Sequence, residues 1–377
     1  MVGADVSATD VIGALVSGAT LSVGATTAIV VEVVVELPVD DPESAQAAND
    51  PKSVSTSANV VVRRFLRRLA MLMRSEVSPR ASSAQWHGYP ASPVSNNSVR
   101  IVTDSACDLP QAVADELGIS IVPLTIRIDG HEYVDRADLT PEEFWAKCST
   151  AAALPETAAP APGLFEATYR KLADEGAGSI VVISLSAGLS ATMQSAELAA
   201  RDFNADPSTK IKVSVVDSCS ATLGLGAIVI DCARLARGGA SHDAVVQRAA
   251  DLATRTKVWG ALDTLENLKK GGRIGGAKAM LASALAIKPI IEVRDGKVEQ
   301  GGKQRTRSKA LAFLVETLVN EGPVENLMVM HADCSDVDAF VEMLRPHYEG
   351  TIVVGDIGPV VGTHAGRGTI GIAYSKL

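Results

Sequence analysis

The chain has 377 residues, too many for one ordinary core and enough for two domains with sequence to spare. It is 47% hydrophobic, which reads as globular, and 35 basic against 44 acidic residues leave a net charge of −9. That balance, with only 4% aromatics, excludes nucleic acid as the main partner, since phosphate binding needs a basic face and base stacking needs rings. Five cysteines (Cys107, Cys148, Cys219, Cys232, Cys334) form no CxxC pair, and the six histidines show no HExxH spacing. Reduced thiols in the cytoplasm, with neither a disulfide framework nor a metal site, are the expectation.

Residues 1–98 read as an N-terminal extension, expected to be poorly ordered. Val11 to Val31 carry no charge and are long enough to span a bilayer. The run is poor in Leu and Phe, however, no Lys or Arg precedes it, and Glu32 and Glu36 follow it. It is therefore read as neither a secretory signal nor a membrane span. Residues 38–58 have linker composition. Between Val60 and Arg74, Arg63, Arg64, Arg67 and Arg68 alternate with Phe65, Leu66, Leu69 and Leu72. That pattern is a short basic amphipathic helix, suited to packing on the main body or to transient membrane contact.

From Val99 onward the pattern is regular. Apolar runs predict strands at 99–102, 120–128, 179–183, 211–216, 258–262, 287–293, 327–331 and 351–354. Helical patterns lie at 109–117, 141–147, 164–172, 190–203, 223–237, 242–253, 308–320 and 336–344. Alternating strands and helices predict an α/β architecture with mainly parallel sheets, one domain over 99–255 and a second over 256–377. Capping boxes are expected at Thr140–Glu143 and Ser335–Asp338.

Five segments could carry chemistry. Ile183–Ser195 joins a buried strand to a helix through a Ser- and Gly-rich turn, where open α/β sheets place ligands and a helix start favours an anion. Ser186 and Ser190 add hydroxyl donors there, and the plainer reading is that they cap the helix. In Leu154–Gly163, Pro160 and Pro162 hold the backbone extended, which could fix the Thr157 hydroxyl or make a simple linker. The glycines of Leu268–Gly276 permit close backbone approach or an anion nest, but this is no Walker loop. Lys303–Lys309 is a basic run at a predicted helix start. Gly358–Gly368 sets His364 among glycines.

Taken in order, IVTDSACDLP (101–110), TAAPAP (157–162), SAGLSATMQSA (186–196), VVDS (215–218), LKKGGRI (268–274), IKPII (287–291) and GPVVGTHAGRG (358–368) resemble the successive signatures of the bacterial DegV family. The resemblance covers residues 99–377 and leaves 1–98 without a counterpart. It implies two α/β domains with a lipid tunnel between them. It implies a non-catalytic carrier, with no cofactor, that binds one long-chain fatty acid and presents its carboxylate to a separate ATP-dependent kinase for acyl phosphate formation. By position, Thr157 and Ser190 would hold the carboxylate, with His364 and Ser186 beside it, and Arg273 and Arg305 would face the kinase. Several residues depart from the family pattern: Ala158, Ala159 and Ala161 replace polar residues, Ala191 stands for Gly and Arg367 for Pro. Two rival readings are an acyl hydrolase using Ser190 and His364, although no GxSxG elbow is present, and a sugar- or phosphate-binding protein.

Overall fold

The computed structural model describes residues 98–283 and 287–377. The expectations for residues 1–97, including the uncharged run at 11–31, the linker and the basic helix at 60–74, lie outside the described residues.

Four parallel strands form the first sheet, in the order β2-β1-β6-β7. These are β1 (Val99–Asp104), β2 (Ser120–Val122), β6 (Ser179–Ser184) and β7 (Lys212–Asp217). All six residues of β6 are buried, as a central parallel strand covered on both faces must be. A small antiparallel sheet follows the order β4-β3-β5, made of β3 (Thr125–Ile128), β4 (His131–Val134) and β5 (Glu156–Ala158). The third sheet has six strands in the order β10-β9-β8-β13-β11-β12. They are β8 (Thr256–Ala261), β9 (Lys288–Arg294), β10 (Lys297–Gln304), β11 (Val324–His331), β12 (Val353–Asp356) and β13 (Ile370–Lys376). Only β11 and β12 pair in parallel there.

The α/β class therefore holds, while the expected dominance of parallel pairing fails in the six-stranded sheet. The helices named here are α1 (Gln111–Leu117), α2 (Pro141–Cys148), α3 (Pro162–Asp174), α4 (Thr192–Ala205), α5 (Thr222–Arg237), α6 (His242–Arg255), α7 (Glu266–Lys270), α8 (Arg307–Glu321), α9 (Val337–Leu344) and α10 (Pro359–Ala365). The Thr140 capping box forms in both directions, at 3.2 and 2.9 Å. The one expected at Ser335 does not: α9 begins after Asp336, with no side-chain cap.

Helix α5 joins the parallel sheet to the six-stranded one. Every residue from Thr222 to Ile230 is buried, the mark of a helix apolar all round. It packs on β1 on one side and on β8, β11 and β13 on the other, and one continuous apolar core joins both sheets through it. Two glycines allow this. A Cβ on Gly224 would stand 2.3 Å from Val258 Cγ2, and one on Gly226 would stand 2.7 Å from the Cys107 carbonyl. Helices α3 and α4 cover the outer face of the parallel sheet, burying Phe165, Tyr169 and Phe203. Helices α8 and α9 cover the outer face of the six-stranded sheet, burying Leu314 and Phe340.

Candidate functional site

One cavity is lined by residues of the six-stranded sheet, by Thr157 of the small sheet and by the turn that follows β6. Most of its wall is apolar: Leu124, Leu185 and Leu189 meet Val258, Ile291, Val293, Val298, Met330 and Val360. Polar residues line it too, among them Thr157, Ser190, Arg273 and His364, with Thr222 and Thr369.

Each of the first four is placed by a local device. Thr157 lies in β5, opposite Ile126 of β3. Pro160 cannot continue a strand, and Pro162 begins α3, so the segment stops where the sequence says it must. His364 sits in the last turn of α10, which Asn267 pins by donating Nδ2 to Thr363 O at 3.0 Å. The imidazole fits because residue 271 is glycine: a Cβ there would come within 2.3 Å of His364 Nδ1. This settles the choice offered by the Leu268–Gly276 glycines, at Gly271, in favour of close approach, since its φ of −71° is ordinary helix.

Ser190 belongs to the turn between β6 and α4. Its Oγ lies 2.8 Å from Thr192 Oγ1 and accepts from Thr192 N at 3.3 Å. The turn is anchored from behind by Asp104, whose carboxylate accepts from Leu185 N at 2.7 Å, Ser184 Oγ at 3.1 Å and Ala106 N at 3.1 Å. Asp217 accepts from Ala187 N at 3.3 Å. Arg273 closes the group by donating Nε to Leu189 O at 3.1 Å, one residue before Ser190.

Thr157 Oγ1 and His364 Nε2 are 2.8 Å apart. Burial, and then the positive charge of Arg273, push the His364 pKa down to about 4, so its ring is neutral at pH 7. A neutral imidazole has one N–H and one acceptor nitrogen. With the proton on Nε2, the ring donates to Thr157 Oγ1 and leaves the threonine O–H free to donate to an anion. The arrangement thus offers hydroxyl donors with a guanidinium nearby, beside an apolar volume.

Two named residues stand elsewhere. Ser186 is not a lining residue: it is fully buried, donates Oγ to Gly296 O at 2.7 Å and accepts from Gly188 N at 3.1 Å. Its hydroxyl ties the turn carrying Ser190 to the β9–β10 hairpin. Arg305 is exposed between β10 and α8, outside the lining. Its neighbour Arg307 makes a two-pronged bond to Asp336, at 2.9 Å for each prong. The supporting role of Asp104 is not visible in the sequence, although the residue lies within the run IVTDSACDLP.

A serine hydrolase would need Ser190 bonded to His364, yet Ser190 pairs with Thr192 and His364 with Thr157. Among the described residues no group of His, Cys, Asp or Glu could hold a metal ion. Among them, too, no helix is long and apolar enough to cross a membrane.

The family model described as "Uncharacterised protein, DegV family" matches residues 98–377. A DegV domain-containing protein of Streptomyces coelicolor is 35% identical over 283 residues, covering 74% of this chain and 98% of the relative. One from Listeria monocytogenes is 31% identical over 285 residues, covering 74% and 99%. Among solved structures, a DegV family protein from Thermus thermophilus, described for its fatty acid binding, superposes with a TM-score of 0.67 at 33% identity, covering 74% of this chain and all of that one. DegV from Bacillus subtilis, described as a fatty acid binding protein, gives a TM-score of 0.65 at 26% identity, covering 74% and 99%. On sequence and fold alike, over everything from residue 98 to the last residue, this chain belongs to the DegV family.

Proposed function

We propose that this chain is a non-catalytic carrier of one long-chain fatty acid, whose carboxylate it presents to a separate ATP-dependent kinase. The observation that carries the reading is one cavity with an apolar wall and a cluster of hydroxyl and imidazole groups on it. Each methylene moved from water into that wall contributes about 0.8 kcal/mol. The carboxylate is the opposing cost, because burying it unpaired is expensive. Thr157 and Ser190 offset the cost as charge-assisted donors, His364 orients the Thr157 hydroxyl, and Arg273 supplies charge. The relatives described as fatty acid binding support the ligand class.

In this reading, domains spanning 99–255 and 256–377 meet around the acyl chain, and Arg273 and Arg305 face the kinase. The five free cysteines suit a reducing, cytoplasmic setting. The absence of a Ser190–His364 bond favours the carrier over the hydrolase.

Denaturing extraction of the purified protein followed by mass spectrometry should recover about one fatty acid per chain. The loaded chain, given ATP and its kinase, should then yield acyl phosphate that hydroxylamine traps as a hydroxamate. Extracts free of fatty acid after expression in a lipid-replete host contradict the carrier. A loaded chain that never gives hydroxamate contradicts only the kinase step.

A further inference from the structure

We infer that Gly260 sets how long an acyl chain the cavity accepts. The inference rests on the fatty-acid reading above. Strand β8 lies inside the six-stranded sheet, between β9 and β13. Its register sets Gly260 opposite Ile291 on one side and Gly371 on the other, and Gly371 opposite Met330. Residues directly opposed across strands point to the same face. All four line the cavity. Two adjacent glycines therefore interrupt the row between Ile291 and Met330 and leave bare backbone as cavity floor.

The two glycines have different reasons to be there. A Cβ on Gly371 would stand 2.3 Å from Trp259 O, so the sheet itself forbids a side chain. The nearest atoms to a Cβ on Gly260 would be Ile291 Cγ1 and Leu262 Cδ1, each at 3.5 Å, and Ile291 Cδ1 at 3.9 Å, all ordinary contacts. Gly260 is also absent from the residues with positive φ. Glycine inside a strand weakens it, and neither backbone geometry nor the surrounding packing requires one here. A ligand lying against the backbone does.

The register also orders the cavity along its length. Helix α10, which carries His364, leads into β13, where Ile370 pairs with Ala261 and Gly371 with Gly260. Val258 pairs with Val293 on the far side of Gly260. A chain with its carboxyl beside His364 passes Gly260 before it reaches Val258 and Val293. A side chain at 260 separates the head of the cavity from that far end, so it excludes long chains and spares short ones.

The test titrates decanoic and stearic acid into the wild type, Gly260→Ala and Gly260→Val, with melting temperatures to confirm folding. Each methylene denied burial costs roughly fourfold in affinity. Gly260→Val should lose at least roughly tenfold for stearate, the loss of two methylenes or more, while decanoate affinity stays nearly constant. Gly260→Ala should move in the same direction by less. Should the valine variant fail to fold, the alanine variant, whose Cβ has room, carries the test. Equal losses for both acids, or none for either, overturn the inference. A wild type that binds neither acid overturns the fatty-acid reading itself.

Discussion

Ser190→Ala should weaken long-chain fatty acid binding roughly ten- to a hundredfold, because one charge-assisted hydrogen bond contributes about 1.5–3 kcal/mol. The substitution removes one oxygen and leaves the apolar wall intact, so lipid should still enter with its head poorly held. Acyl phosphate formation should fall further than binding, since phosphoryl transfer needs the carboxylate oxygen in line. The same substitution in a hydrolase would abolish ester turnover and leave fatty acid affinity nearly unchanged. Titration of a fluorescent fatty acid into wild type and variant separates the two. Equal affinities would take Ser190 out of the carboxylate site.

Asp104→Ala should cost about 2–4 kcal/mol of stability. Asp104 is fully buried and accepts from Leu185 N, Ser184 Oγ and Ala106 N. Its removal strands buried donors at about 1–3 kcal/mol each, partly offset by Ser184 turning its hydroxyl elsewhere and by relief of a buried charge. Chemical denaturation measures the loss, and a variant as stable as wild type would contradict this role.

The same burial has a pH signature. It pushes the Asp104 carboxyl up to about 6, Asp108 up to about 8 and Asp135 up to about 6. A carboxyl whose folded pKa is raised binds its proton more readily in the native state, so stability rises as pH falls through that value. The melting temperature should therefore increase from pH 8.5 to pH 6.5, led by Asp108. Below pH 6.5, His364 opposes the trend, because its folded pKa is depressed and only the unfolded chain takes up that proton. A melting temperature that falls over the upper interval would contradict these assignments.

Much of the fold was legible because long periodic segments announce themselves: α3, α4, α5, α6 and α8 lie where the apolar spacing puts them. The failures have particular causes. The apolar run at 120–128 reads as one strand, but Pro123 lies between β2 and β3, which belong to different sheets. Strand β10 (KVEQGGKQ) has a single large apolar residue, Val298, and paired glycines, so no alternation marks it. Helix α10 (PVVGTHA) is too short and too rich in Gly and Pro to show a helical period. Strand β13 follows directly on that glycine-rich stretch. These omissions matter for the site, since α10 carries His364 and β13 supplies part of the cavity floor.

The site was less legible than the fold for a simple reason. Thr157 and His364 are 207 residues apart in sequence yet share a hydrogen bond. No spacing rule joins them, and only the ordered resemblance named both. Ser186 shows the converse limit. Its type and position suit a ligand donor, but the depth of the β6–α4 turn, and so its bond to Gly296, cannot be read from a one-dimensional pattern.

A fatty acid in this cavity should have its carboxylate among Thr157, Ser190 and His364. A crystal structure of the protein loaded with stearic acid tests it most directly. Carboxylate oxygens should lie within hydrogen-bond reach of the Thr157 and Ser190 hydroxyls, with the acyl chain running over Gly260 toward Val258 and Val293. A carboxylate at the opposite end, or lipid bound outside this cavity, would contradict it.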